Sequence, residues 1–155
     1  MPDSNLKKKL FQTYLKMIEN SPGTKLFNSA FVEDVRTGEV RDVLNDGELS
    51  CAFFVSGVLS LLGLMDRPHS TVKTVIDTLR GSKNWKEFDK KSLKNGDIIV
   101  WEVVTFEDGT QNEHIGFCLD TNKAVSTSYI EKSVVLHSID FDGKRKIEKI
   151  FRYSA

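Results

Sequence analysis

The chain has 155 residues, which suits one domain spanning residues 1–155 and is long enough to bury a core. Its 22 basic and 22 acidic side chains cancel, which argues against a basic nucleic-acid-binding surface; Lys7-Lys8-Lys9 then reads as a solvated helix face. No apolar stretch approaches the roughly 18 residues of a membrane span, and two cysteines do not make a disulfide framework.

Met1-Pro2-Asp3-Ser4-Asn5 has no signal-peptide shape, and Gln12, Thr13, Lys16 and Glu19 interrupt any apolar region behind the lysines. The expectation is a cytoplasmic protein, or an exported one if a leader has been removed.

Leu6, Leu10, Tyr14, Met17 and Ile18 recur at helical spacing and predict an amphipathic helix that stops at Asn20-Ser21-Pro22-Gly23. In residues 25–48, Phe27, Phe31, Val32 and Val35 fit either a short strand or an irregular arm. Thr37-Gly38 and Asn45-Asp46-Gly47 are turn signals there. A second helix is predicted from Cys51 to about Leu62, with Ser50 as N-cap and Gly63 as the stop. It is apolar on nearly every side and should be central. After Pro68, Ser70 or Thr71 caps a third helix with Val72, Val75, Ile76 and Leu79 as its buried stripe.

From residue 97 the pattern changes to period two, with strands predicted over 97–106, 112–120, 124–130, 133–139 and 145–153. The breaks between them are short, so the expectation is an antiparallel meander of about five strands. Helices first and strands afterwards make the fold class α+β, with a helix carrying Cys51 packed on a C-terminal sheet.

One cysteine opening a helix and one histidine on a later strand is the distribution of a thiol hydrolase. A cysteine in the first helical turn lies among unpaired N–H groups at the positive end of the helix dipole, which favours its thiolate. An imidazole beside it can take the proton, and the same N–H groups can hold an oxyanion. On a strand, His114, Gly116 and Cys118 share one face and Ile115, Phe117 and Leu119 the other. Gly116 would let a helix end approach closely.

Taken singly, the residues have plainer readings. A cysteine in an apolar helix is usually a small hydrophobe, as Cys118 is taken to be, and a lone strand histidine is usually structural or exposed. A Cys51–Cys118 redox pair has no Cys-x-x-Cys motif behind it. His69 reads as a loop or capping residue, and His137 faces either the site or solvent. Trp85 and Trp101 read as packing, although Trp101 could line a groove. No zinc-ligand spacing and no phosphate-cradling glycine motif is present, so no metal and no cofactor is expected.

Three segments together resemble the NlpC-type cell-wall peptidases, a branch of the papain-like cysteine hydrolases. Leu49-Ser50-Cys51-Ala52-Phe53-Phe54-Val55 is similar to that family's Asp-Cys-Ser-Gly-Phe-Val at the start of the nucleophile helix. Leu93-Lys94-Asn95-Gly96-Asp97-Ile98-Ile99-Val100-Trp101 is similar to its Leu-x-x-Gly-Asp strand, and His114-Ile115-Gly116-Phe117-Cys118-Leu119 to its His-Val-Gly-Ile-Tyr-Leu strand. The resemblance covers residues 49–130 in matching order. It implies a papain-like fold with Cys51 as nucleophile and His114 as general base and acid. The third polar residue falls at Ser126, a neutral group able to accept the Nδ1–H bond that orients the imidazole, a task a backbone carbonyl or water could also perform. The chain departs from the family at Ser50, where aspartate is usual, and at Ala52-Phe53, which replaces Ser-Gly.

The expected function is hydrolysis of an amide or peptide bond through a Cys51 thioester, with bacterial cell-wall peptides as the substrate class that the resemblance implies. The thiol should titrate well below a free cysteine. The alternative is a papain-like binding or regulatory module with a decayed catalytic pair. Transfer to an amine acceptor would use the same residues. Oligomeric state has no sequence signal.

Overall fold

The computed structural model describes residues 9–154, so Leu6, Lys7 and Lys8 lie outside the described residues. Helix α1 (Leu10–Asn20) buries Tyr14 and Ile18, two of the residues that carry its period. The Tyr14 hydroxyl donates to the Gly96 carbonyl at 2.6 Å and ties the helix to the far sheet.

Residues 25–48 contain a two-stranded antiparallel hairpin, β1 (Phe31–Glu33) with β2 (Val40–Asp42), turned at Gly38 with φ +73°. Its second strand carries one apolar residue, Val40, too weak a period-two signal to read. Beyond it, Asn45, Asp46 and Gly47 take three successive left-handed conformations with φ 52°, 50° and 93°. The Asp42 carboxylate braces this turn by accepting the N–H groups of Ala30, Leu44 and Asp46 at 2.9, 3.0 and 2.9 Å.

Helix α2 (Cys51–Leu61) follows directly, buried along most of its length. It ends in a Schellman motif: Gly63, at φ +71°, donates to Ser60 at 3.1 Å and Leu64 donates to Leu59 at 2.8 Å. Helix α3 (Val72–Gly81) is capped by Thr71, whose hydroxyl accepts the Thr74 N–H at 3.2 Å, and it buries Val72, Val75, Ile76 and Leu79.

The main sheet has six antiparallel strands: β3 (Trp85–Phe88), β4 (Ile98–Thr105), β5 (Gln111–Cys118), β6 (Lys123–Ser128), β7 (Ser133–Ser138) and β8 (Ile147–Tyr153). Their order is β3-β8-β4-β5-β6-β7. The fold class is therefore α+β, but the sheet is not a simple meander of five. Strands β4 to β7 do form a meander. Strand β8 returns to the opposite edge of β4, with Ile98↔Phe151 and Ile99↔Ile150 in register, and β3 pairs outside it. The physical reason lies in Ile150-Phe151, adjacent apolar residues that point to opposite faces and need both covered. Phe151 packs on the helix side, and Ile150 packs with Ile99, Trp101, Cys118 and Ala124 on the other.

The helix-side core is the larger. Phe54 of α2 meets Phe117 of β5 edge to face at 5.5 Å, and Tyr14 meets the same ring at 5.7 Å. The second face is covered by loops, through Leu93, Ile139 and Phe141. No helix among the described residues is long and apolar enough to cross a membrane.

Candidate active site

The ladder pairs between β5 and β6 are confined to Phe117↔Val125 and Cys118↔Ala124. Toward Gln111 and Ser128 the two strands part, and a cavity of about 880 Å³ opens there, lined by Cys51, His114, Thr127, His137, Phe141 and Arg145 among others. The volume lies within the roughly 300–1,000 Å³ of small-molecule sites. Both residues of the expected pair therefore reach one cavity, from different sides: Cys51 from the start of α2, and His114 from β5, on the sheet face that also carries Trp101 of β4.

Ser50 occupies the N-cap position of α2, but its hydroxyl donates backward to the Gly47 carbonyl at 3.2 Å and does not cap the helix. The first-turn N–H groups are thereby left without a side-chain cap. Cys51 Sγ lies 3.9 Å from the Glu113 carbonyl oxygen, one residue from His114, and no hydrogen bond joins the sulfur directly to the imidazole. Burial pushes the thiol pKa up, against the expectation of a depressed value. The N–H groups of Ile115 and Ala52, the Arg145 charge and the N–H of Cys51 itself oppose that shift without cancelling it.

His114 is held from behind. Its Nε2 lies 2.9 Å from Ser126 Oγ, and the same oxygen lies 2.6 Å from Nε2 of His137. His137 Nδ1 lies 2.7 Å from the Ser138 carbonyl oxygen, which can only accept. The proton positions follow from that end. His137 carries its proton on Nδ1, so its Nε2 accepts from the Ser126 hydroxyl. Ser126 in turn accepts from His114 Nε2–H, and His114 Nδ1 is left as the bare nitrogen of the ring. The contact uses Nε2, not the Nδ1–H that sequence reasoning assigned to it. Ser126 itself is fully buried and does not line the cavity.

Trp101 lies beneath this relay, 5.2 Å from the His114 ring and 5.6 Å from the His137 ring, with its own N–H given to the Ile139 carbonyl. Phe141 stacks on His137 at 4.1 Å. Gly116 completes the packing. A Cβ there would stand 2.7 Å from Ser126 Cβ and 3.0 Å from the Trp101 ring, so the glycine admits β6 and the indole rather than a helix end. Burial, then the charges of Arg145 and His137, lower the His114 pKa to about 3. At neutral pH the site rests as thiol and neutral imidazole.

Arg145 was not singled out from the sequence, where it only opens the strand predicted over 145–153. Half-buried at the cavity, it donates from Nε to the Glu102 carbonyl at 2.9 Å and from Nη2 to the Asn112 carbonyl at 2.7 Å and to Asn112 Oδ1 at 3.2 Å.

Other candidates fall elsewhere. His69 joins Asp66 at 3.3 Å and bonds Ser56 through its backbone, away from the relay. Cys118 is fully buried, donates to the Asp120 carbonyl at 3.0 Å and is pushed to about 12 by burial and the carboxylates of Asp97 and Asp120. Both cysteines are free thiols. The Gly96-Asp97 step of the second resembling segment is structural: Gly96 takes φ +89° against Phe11 and Leu15, and buried Asp97 holds Arg152 bidentately at 2.8 and 2.7 Å. No cluster of three or more His, Cys, Asp and Glu side chains able to hold a metal occurs among the described residues.

No family model matches the chain, and no curated protein matches its sequence.

Proposed function

We propose that the protein is a cysteine hydrolase of papain-like fold that cleaves an amide or related acyl bond at Cys51. The observation that carries the reading is the tautomer of His114: the Ser126–His137 relay places its proton on Nε2 and leaves Nδ1 as the acceptor nitrogen. Trp85 Nε1 is the one buried side-chain N or O atom without a partner among the described residues, so His114 Nδ1, which has no partner either, is not sealed from the cavity.

The chemistry runs from these parts. The step requires the Cys51 thiol, which has no hydrogen bond to the imidazole at rest, to close on His114 Nδ1; it then gives its proton to that nitrogen, and the sulfur forms a bond to the acyl carbon as the carbonyl electron pair moves to oxygen. The open N–H groups at the start of α2 stabilise that oxyanion. Collapse breaks the carbon–nitrogen bond, and His114 protonates the departing amine. Water then adds to the thioester, giving its proton to the same nitrogen, and the carbon–sulfur bond breaks to restore the thiol. The imidazolium formed in each half is held through Nε2 by Ser126.

The resting protonation favours neutral groups on both partners, which is the observation that keeps a binding module as the second reading. Incubation with p-nitrophenyl acetate followed by mass spectrometry separates the two. The hydrolase reading expects an acetyl group on Cys51, slowed about 10-fold or more by His114→Ala, in keeping with the roughly 10²–10⁴-fold range of general-base contributions. A protein that is never acylated at Cys51, or that is indifferent to His114→Ala, is a binding module. Cell-wall peptides stand as one substrate class, carried by the sequence resemblance alone.

A further inference from the structure

The guanidinium of Arg145 has five N–H donors, and the hydrogen bonds to Glu102 and Asn112 use those on Nε and Nη2. The two on Nη1 have no acceptor among the described residues, and no carboxylate there lies within ion-pair distance of the side chain. The guanidinium is fixed by backbone and amide oxygens, so its charge is positioned but not neutralised.

The other charges at the cavity are arranged differently. Lys73 is paired with Asp77 at 2.7 Å, and Glu48 lies 3.9 Å from Lys132. Lys144 and Glu113 are exposed. One oriented cation with two carboxylates nearby suits a single negative charge better than a dianion such as a phosphate monoester. The rim beside it is apolar: Phe106, Tyr129 and Ile130 are 43%, 59% and 75% exposed, and the first two rings meet at 6.5 Å. A patch of this kind on a cavity mouth marks a place where an apolar group is buried on binding.

We propose that Arg145 is a recognition residue for a carboxylate on the substrate, and that the cavity takes small N-acyl amino-acid-like molecules whose apolar side chain lies against Phe106, Tyr129 and Ile130. The proposal rests on the cavity being the substrate site of the hydrolase described above, and it is tested by binding so that its outcome is separate from that of the chemistry. The probes are N-acetyl-L-phenylalanine and its neutral counterpart N-acetyl-L-phenylalaninamide, titrated by calorimetry into the Cys51→Ala protein.

The acid should bind at least about 10-fold more tightly than the amide at low salt, since charge-assisted hydrogen bonds are roughly twice as strong as neutral ones. Lys144→Gln should leave that preference in place, and Arg145→Gln should remove it. Arg145→Lys, which retains the charge without the fork, should reduce it and serves where the glutamine variant does not fold. Equal binding of acid and amide, binding of neither, a preference that survives Arg145→Gln, or one lost with Lys144→Gln would overturn the proposal. A clear acid preference in a protein that never acylates at Cys51 would leave recognition standing and remove the hydrolase.

Discussion

The two cysteines occupy opposite ends of one packing arrangement and teach what a buried thiol needs before it can react. Cys51 and Cys118 are both buried, and burial raises the pKa of both. Around Cys118 the nearby charges are the carboxylates of Asp97 and Asp120, which push further in the same direction, to about 12. Around Cys51 the helix and strand N–H groups and the Arg145 guanidinium push the other way, and a cavity lies beside it. Depth is therefore shared, and the sign of the surrounding partial and formal charge distinguishes the ends. One end of β5 is built to hold the sheet together, the other to expose a polar pair to a ligand.

The sharpest way to break this contrast is at the structural end. Asp97 is 1% exposed and accepts two hydrogen bonds from Arg152 and one from the Lys94 N–H at 2.7 Å. Asp97→Ala removes the acceptor of three hydrogen bonds and should cost about 2 kcal/mol in urea denaturation, below the roughly 3–5 kcal/mol of a fully buried pair because Arg152 stays partly in water and keeps the Ser92 carbonyl. Alkylation of Cys51 in the folded variant should stay within about two-fold of the parent, since Asp97 is not among the groups that shift the Cys51 thiol. A large change at Cys51 would show that the two ends are one coupled unit.

The cysteines themselves give the next effect. With iodoacetamide near pH 7.5, Cys51 should label faster than Cys118, because Cys51 lines the cavity while Cys118 is fully buried with its pKa held at about 12 by burial and two carboxylates, and the thiolate is the nucleophile. Peptide mapping of partly labelled protein reads the ratio directly. Equal labelling, or faster reaction at Cys118, would remove the distinction on which the comparison stands.

Much of this contrast was legible in the sequence. The period-two runs located β4 to β8 to within a few residues, and Cys51 at a helix start and His114 on a strand are found where expected. What escaped was long-range. The pairing of β8 with β4 depends on covering Ile150 and Phe151 from both sides, which no local pattern expresses. His137 was closer to readable. A tight hairpin at Glu131-Lys132 sets Ser128 opposite Ser133 and hence Ala124 opposite His137, which puts His137 on the face of Ser126. Arg145 offered no such signal, because its role comes from carbonyls on β4 and β5 some 30 to 40 residues away. The hydroxyl of Ser50 pointed to a cap from composition alone, and only the Gly47 turn shows why it faces away.

Acid should act on the cavity end before the structural end. His114 has a folded pKa of about 3, and that of His137 is also lowered, against about 6.5 for an unfolded histidine. The unfolded chain thus binds more protons between those values, so stability is full above pH 6.5 and falls as the pH drops toward 3. The slope from His114 is up to about 1.4 kcal/mol per pH unit, read from the pH dependence of urea midpoints. His114→Asn, which cannot titrate, should flatten the curve over pH 6.5 to 4.5. An unchanged slope would mean that His114 is protonated in the folded protein, and the tautomer assignment would fall with it.

Ser126 gives the smallest effect and tests the relay most directly. Ser126→Ala removes the oxygen between the two imidazoles without adding volume, so His114 Nε2–H and His137 Nε2 lose their shared partner. The nitrogen-15 shifts of His114 should then move from those of a single tautomer toward a mixture of Nδ1–H and Nε2–H forms. Alkylation of Cys51 should slow about 5-fold, in line with the ~1 kcal/mol of an ordinary hydrogen bond, because a bare Nδ1 is present only part of the time. His137→Phe keeps an aromatic ring against Phe141 and removes both the acceptor for the Ser126 hydroxyl and the donor to the Ser138 carbonyl, while leaving Ser126 Oγ to accept from His114, so it should produce a weaker version of the same change. If both variants leave the His114 shifts and the labelling rate untouched, the hydroxyl is mere packing between the rings, and the imidazole is oriented by the Trp101 and Phe141 rings.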